Sequence, residues 1–190
     1  MKTLARLILR LCGWQLTGAP PSDTDRYVVI AAPHTSNWDF PWMLLMAWAS
    51  GMAVRWLGKH ALFWGPMGPI MRALGGVPVR RHVREDRVAA TARAIRSSKR
   101  IALVIPPEGT RGLTDTWRSG FYHIARTAEV PLVPTALDYA ERRGEIGPAF
   151  IPTGDVKADM DRLRTFYTDR SGCYPERFGP VRLREEDDTD

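Results

Sequence analysis

Two segments, YVVIAA at residues 27–32 and IALVI at residues 101–105, carry no charged side chain and no apolar–polar alternation. A strand with one wet face alternates, so both of these must be covered on both faces. Further strand-like runs fall at residues 53–57, 77–79 and 131–137, with a short one near Phe150. Helix-length stretches separate them, at about 40–50, 85–98 and 119–128, and a late amphipathic helix spans KADMDRLRTFYTD. Val88, Ala92 and Ile95 recur at spacings of 4 and 3, the helical signature. Strands joined by helical crossovers predict an α/β fold: a layered arrangement with a largely parallel or mixed sheet flanked by helices. The 190 residues suffice for one domain with a substantial core.

Such a sheet binds ligands beyond the carboxyl ends of its strands. Two polar segments of this chain fall there, PHTSNWD after the first long strand and PPEGTRG after IALVI. Residues five apart on a continuous helix lie about 140° apart around its axis. For Asp39 to reach the ring of His34, the histidine must therefore precede the helix, on the strand-to-helix turn. Asp39 is also a good helix cap, and Pro41 fits the first helical turn; a turn histidine satisfied by backbone and a plain cap are the bland alternative. As a dyad, Asp39 would fix the imidazole tautomer and His34 would take a proton from a substrate hydroxyl. The chain has no G-x-S-x-G elbow, and neither Cys12 nor Cys173 neighbours a base, so the substrate's own hydroxyl is the expected nucleophile. Glu108 and Arg111 flank Gly109 and Thr110, where a glycine permits a sharp turn and an arginine can grip phosphate bidentately. An internal Glu108–Arg111 ion pair is the structural alternative. GGVPVRR adds Arg80 and Arg81, whereas His60, His82 and His123 have no comparable setting.

Taken together, these segments resemble the glycerolipid acyltransferases of the lysophosphatidic acid acyltransferase (PlsC-like) family, in the family's order, over roughly residues 25–140. The H-x4-D block is His34 and Asp39. The glycine-to-arginine block is GGVPVRR, with Arg81 at the arginine position. The F-P-E-G-T-R-S block appears as IPPEGTRG, with Pro106 and Gly112 as departures, and F-K-x-G is echoed by WRSG, with Arg118 for lysine. V-P-x-x-P is VPLVP, ending at Pro134. The resemblance implies a glycerol-3-phosphate acyltransferase-like fold. It also implies acyl transfer from acyl-CoA or acyl carrier protein to a hydroxyl of a lysophospholipid or related acceptor. On that basis His34 is general base, Asp39 its orienting partner, and Arg81 and Arg111 hold the acceptor phosphate. Glu108 positions the acceptor or the arginine, Gly109 and Thr110 shape the loop, and Arg118 is a further phosphate contact. No cofactor and no metal are expected, because the thioester is already activated. An apolar groove for the acyl chain is expected from FWGPMGPIM and the helix over residues 40–54. A hydrolase using water at the same dyad and a non-catalytic lipid-binding protein are the competing readings.

The formal charge is +6, from 27 bases and 21 acids. Five of those acids lie in the final EEDDTD, so residues 1–184 hold 27 bases against 16 acids. Residues 185–190 read as a solvated acidic tail and 21–184 as the acyltransferase domain. A basic body suits anionic lipid or phosphorylated substrates. It shows no nucleic-acid reading motif, so no nucleic acid is expected. The segment 1–20 reads as an amphipathic helix, with Lys2, Arg6 and Arg10 on one face and Leu4, Leu7, Ile8 and Leu11 on the other. Six of the seven tryptophans fall in the first third of the chain, which favours a membrane interface. No apolar run reaches the ~18 residues of a membrane span. The expected location is cytoplasmic, peripherally associated with the anionic inner face of the cell membrane. A helix packed on the domain with its bases in water is the alternative.

Overall fold

The computed structural model describes residues 1–79 and 87–189. Seven strands form one mixed sheet: β1 Gln15–Thr17, β2 Arg26–Ala31, β3 Val54–Lys59, β4 Gly76–Val79, β5 Ile101–Ile105, β6 Leu132–Asp138 and β7 Arg143–Ile146. Their spatial order is β1-β7-β6-β2-β5-β3-β4. β2 is central and runs parallel to both β5 and β6, with Val28 opposite Leu103 on one side and Leu132 on the other. Among these strands only β6 and β7 pair antiparallel. The short edge strand β1, its neighbour β7 and the helix Met67–Ala73 were not expected from the sequence. QLT and RGEI have neither length nor an apolar run to signal a strand.

The period of two in β2 divides its side chains between two cores, which is why it is apolar throughout. Val28 and Ile30 pack with Ala92 and Ile95 of α4 (Arg87–Ser97), Phe121 and Tyr122 of α5 (Gly120–Ala128), and Met160 and Leu163 of α6 (Val156–Tyr167). Tyr27 and Val29 pack on the other face with Leu44 and Ala47 of α2 (Asp39–Ser50). The segment between β3 and β4 covers that second face as well: Phe63 packs on Trp56, and Leu74, just past α3 (Met67–Ala73), joins the same cluster. Between β3 and α3 lies a short 3-10 helix, His60–Phe63.

α1 (Lys2–Leu11) ends well before residue 20, because Gly13 turns the chain with φ 73° and Trp14 leads into β1. Ala5 and Leu9 are buried with Met46 and Ala49 of α2, and Arg6 Nε donates to the Ala49 carbonyl at 3.2 Å, at the electronegative end of that helix. Residues 1–17 are thus a layer of the domain. Leu4, Leu7 and Leu11 nonetheless remain exposed, on the side of α1 away from α2. Nor are the terminal acids simply solvated. Arg184–Thr189 form a 3-10 helix in which Glu186 pairs with Arg164 of α6 at 2.7 Å and Asp187 with Arg182. The basic body offers these carboxylates partners at close range.

Candidate active site

β2 ends at Ala31, and the chain then turns through Pro33 to Ser36 before α2 begins at Asp39. His34 sits on this turn, ahead of the helix, as the five-residue spacing requires. Its Nδ1 lies 3.0 Å from Asp39 Oδ2, and the imidazole is 28% exposed against 8% for the carboxylate. The same Oδ2 accepts the backbone N–H groups of Thr35 and Ser36, each at 3.0 Å. Asp39 therefore organises the turn that carries the histidine as well as the histidine itself. Its second oxygen, Oδ1, accepts the Tyr139 hydroxyl at 2.8 Å. Four donors on one carboxylate repay its burial and leave it a single orientation. Since an ionised carboxylate only accepts, Nδ1 carries the proton and Nε2 is left as the basic nitrogen.

Tyr139 was not visible as a site residue in the sequence. It follows β6, so the strand-edge rule applied to β2 and β5 would have found it had it been extended to this third parallel strand. Burial and the Asp39 carboxylate hold its phenol well above the usual range, so it serves Asp39 as a donor. Trp14 abuts the Tyr139 ring edge-on at 5.2 Å and stacks on Trp42 at 4.7 Å.

Glu108 follows β5 and lies beneath the histidine turn. It is only 4% exposed, and its Oε1 accepts the backbone N–H of His34 at 2.9 Å. Burial pushes its pKa up to about 7, against the lowering effect of the His34 N–H. Its Oε2 is buried without a hydrogen-bond partner among the described residues. Glu108 thus faces the backbone of His34, and no ion pair with Arg111 is present among the described residues. Gly109 has φ 67°, and the Arg118 side chain crosses the space that a Cβ there would fill. The Arg118 N–H donates to the Pro107 carbonyl at 2.8 Å, folding WRSG against the PPEGTRG loop. Thr110 Oγ1 accepts from Gly112 N at 3.2 Å. Arg111 and Arg118 are both exposed on this loop. Arg80 and Arg81 lie outside the described residues.

An apolar cavity of about 250 Å³ opens at His34 and Asp39 and runs between α2 and the sheet. Phe40, Met43 and Met46 line its helical side, and Val29, Val54 and Val104 its floor. Leu16, Gly144 and Ile146 bound it on the β1–β7 side. None of Phe63–Met71 contributes to its lining. The expected groove therefore involves the 40–54 segment without FWGPMGPIM, which lies beyond β3 with most of its side chains outward.

A buried-carboxylate dyad at the mouth of an apolar cavity can deprotonate a hydroxyl beside a bound hydrocarbon chain. The acyltransferase family model matches residues 15–138, about two-thirds of the chain. The chain belongs to the acyltransferase family. The match runs from β1 through β6 and takes in the dyad, Glu108 and the exposed arginines of the loop. The acyltransferase fold is similar to that of a 1-acyl-sn-glycerophosphate (LPA) acyltransferase, PlsC, from Thermotoga maritima. That likeness has a TM-score of 0.58 and 18% identity, over 88% of this chain and 73% of the other. No curated protein is a significant match.

Proposed function

We propose that this acyltransferase moves a fatty acyl group from a thioester, acyl-CoA or acyl carrier protein, to a hydroxyl of lysophosphatidic acid or a related lyso/glycerolipid acceptor. The observation that carries this reading is His34, held by Asp39, at the mouth of the apolar cavity. His34 Nε2 takes the proton of the acceptor hydroxyl as its oxygen attacks the thioester carbonyl. Asp39 stabilises the imidazolium that results. The tetrahedral intermediate collapses, the C–S bond breaks, and the leaving sulfur takes the proton back from Nε2. The acyl chain occupies the cavity between α2 and the sheet. Arg111, with Arg81 and Arg118, holds acceptor phosphate, for which exposed guanidinium groups on a glycine loop are suited.

The enzyme works at the inner face of the cell membrane, held there reversibly by α1. Leu4, Leu7 and Leu11 point outward, with Lys2, Arg6 and Arg10 in an adjacent row. The test is thiol release from purified protein with acyl-CoA, with and without lyso acceptors, followed by lipid product analysis. Acceptor-dependent release and an acylated lipid are expected. Release that ignores the acceptor would make the protein a hydrolase. His34→Ala is expected to lower turnover by about 10²–10⁴-fold, the usual worth of a general base.

A further inference from the structure

Among the described residues, eleven of the fourteen exposed large hydrophobic side chains fall between Met1 and Val77. Those on α1 are one group. A second group lies on the 3-10 helix and α3: Leu62 at 48% exposure, Trp64 at 80%, Met67 at 50% and Ile70 at 50%. None of these four lines the cavity, and no described residue covers them. Trp56 ties this segment to α2, meeting Phe63 on one side and Phe40 on the other, and α1 packs on α2, so the two exposed groups lie on α2's face of the sheet. The charge of this segment is one-sided. No Asp or Glu occurs between Asp39 and Glu85, while Lys59, His60 and Arg72 stand exposed around the patch. Arg72 extends over the Phe63 ring at 5.7 Å, beside the exposed Trp64.

We infer that the segment His60–Ala73 is a second membrane-docking surface, which seats Trp64, Met67 and Ile70 in an anionic lipid bilayer independently of α1. Tryptophan is suited to this level of a bilayer because its apolar ring carries one polar N–H. The exposed bases meet the anionic headgroups. A ten-residue helix alone binds weakly, and a second contact on a rigid body makes its own insertion intramolecular once the first is made. β3 leads directly into this segment, and its Trp56 and Leu57 line the cavity, so docking here sets the acyl site against the lipid surface. The choice of lipid as partner rests on the lipid-acceptor reading above.

The experiment is co-sedimentation of the full chain with mixed phosphatidylglycerol–phosphatidylcholine vesicles and with phosphatidylcholine alone. Trp64→Gln/Ile70→Gln is expected to lower the partition onto mixed vesicles by about tenfold or more, from the apolar area withdrawn from lipid. Ile151→Gln, beside Phe150 on the other face of the sheet, should change it by less than about twofold. Trp64→Gln alone, at a position 80% exposed, gives the same readout if the double variant unfolds. Unchanged binding of the Trp64 variants, an equal loss for Ile151→Gln, or equal wild-type binding to neutral vesicles overturns the inference. So does a wild-type dimer that the double variant splits while vesicle binding persists, because the patch is then an interface between copies. Thiol release with a water-soluble acceptor, measured without vesicles, separates the two proposals. Its absence from the wild type, with the vesicle results as expected, removes the acyl-transfer reading and leaves the docking surface standing.

Discussion

Asp39 and Glu108 are both buried carboxylates beside His34, yet their surroundings give them different work. Asp39 receives four donors and holds the ring; Glu108 receives the backbone N–H of His34, and burial raises its pKa to about 7. Removing one of the four is a direct test of how the ring is held. Tyr139→Phe deletes a hydrogen bond to a charged group, worth about 1.5–3 kcal/mol, without altering ring packing against Trp14. Turnover is expected to fall by roughly tenfold with KM for donor nearly unchanged, and the pH–rate profile to shift, since the carboxylate that holds the His34 ring is altered. A fall in stability with an unshifted profile and unchanged turnover would make Tyr139 a packing residue only. Glu108 provides a stability test. A carboxyl whose folded pKa lies above its unfolded value of 4.5 binds a proton more tightly when folded. Its contribution therefore favours the fold at low pH and is lost as pH rises from about 4.5 to about 7, with a total on the order of 3 kcal/mol. Denaturant unfolding of the wild type from pH 4.5 to 8 should show that loss, and Glu108→Gln should flatten it by about this amount. Parallel curves for the two proteins would mean that Glu108 does not titrate in this window.

Among the elements, α1 joins the domain and the proposed membrane surface. Deleting residues 1–16 would strip Ala5, Leu9 and Trp14 from Met46 and Ala49 and unpair β1 from β7, so truncation tests folding and binding together. Substituting the outward stripe avoids this: Leu4→Gln/Leu7→Gln/Leu11→Gln changes only side chains that are 52% exposed or more. The triple variant should unfold at nearly the wild-type temperature, yet sediment less with anionic vesicles. The binding that remains should fall further at high salt, where the Debye length shrinks to about 3 Å at 1 M. Binding insensitive to both the leucines and salt would show α1 to be a structural helix alone. α2 acts through its length. From Asp39 at the mouth to Ala47 it advances about 12 Å along the cavity. Met46 lines the cavity beside Gly144, where no Cβ could be accommodated without displacing its thioether. Met46→Ala should lengthen the space and shift the preferred donor towards longer acyl chains, read as ratios of kcat/KM across a chain-length series. An unchanged profile would place the chain elsewhere.

At the scale of the whole molecule, what could be read from the residues depended on how far apart the deciding partners lie. The unalternating apolar runs at 27–32 and 101–105 implied a sheet covered on both faces, and β2 and β5 sit side by side at its centre. The H-x4-D spacing required the histidine to stand ahead of its helix, because helical geometry is local. Both conclusions follow from period and reach along the chain, which the sequence displays directly. β1 and β7 were not legible, because QLT is a strand by pairing with β7 across 128 positions and RGEI by lying between β1 and β6. The same holds for Tyr139, which reaches Asp39 across 100 positions, and for Glu108, which reaches the His34 backbone across 74. FWGPMGPIM shows the limit most plainly. Its apolar composition is equally suited to lining a cavity and to facing a bilayer, and only the packing of Phe63 on Trp56 turned the rest of it outward. Local periodicity was enough to set the layers and to place the His34–Asp39 pair at a strand edge. Tertiary structure alone decided which partners orient the dyad, what lines the cavity and which apolar side chains are left uncovered, because those depend on contacts between segments that no local pattern encodes.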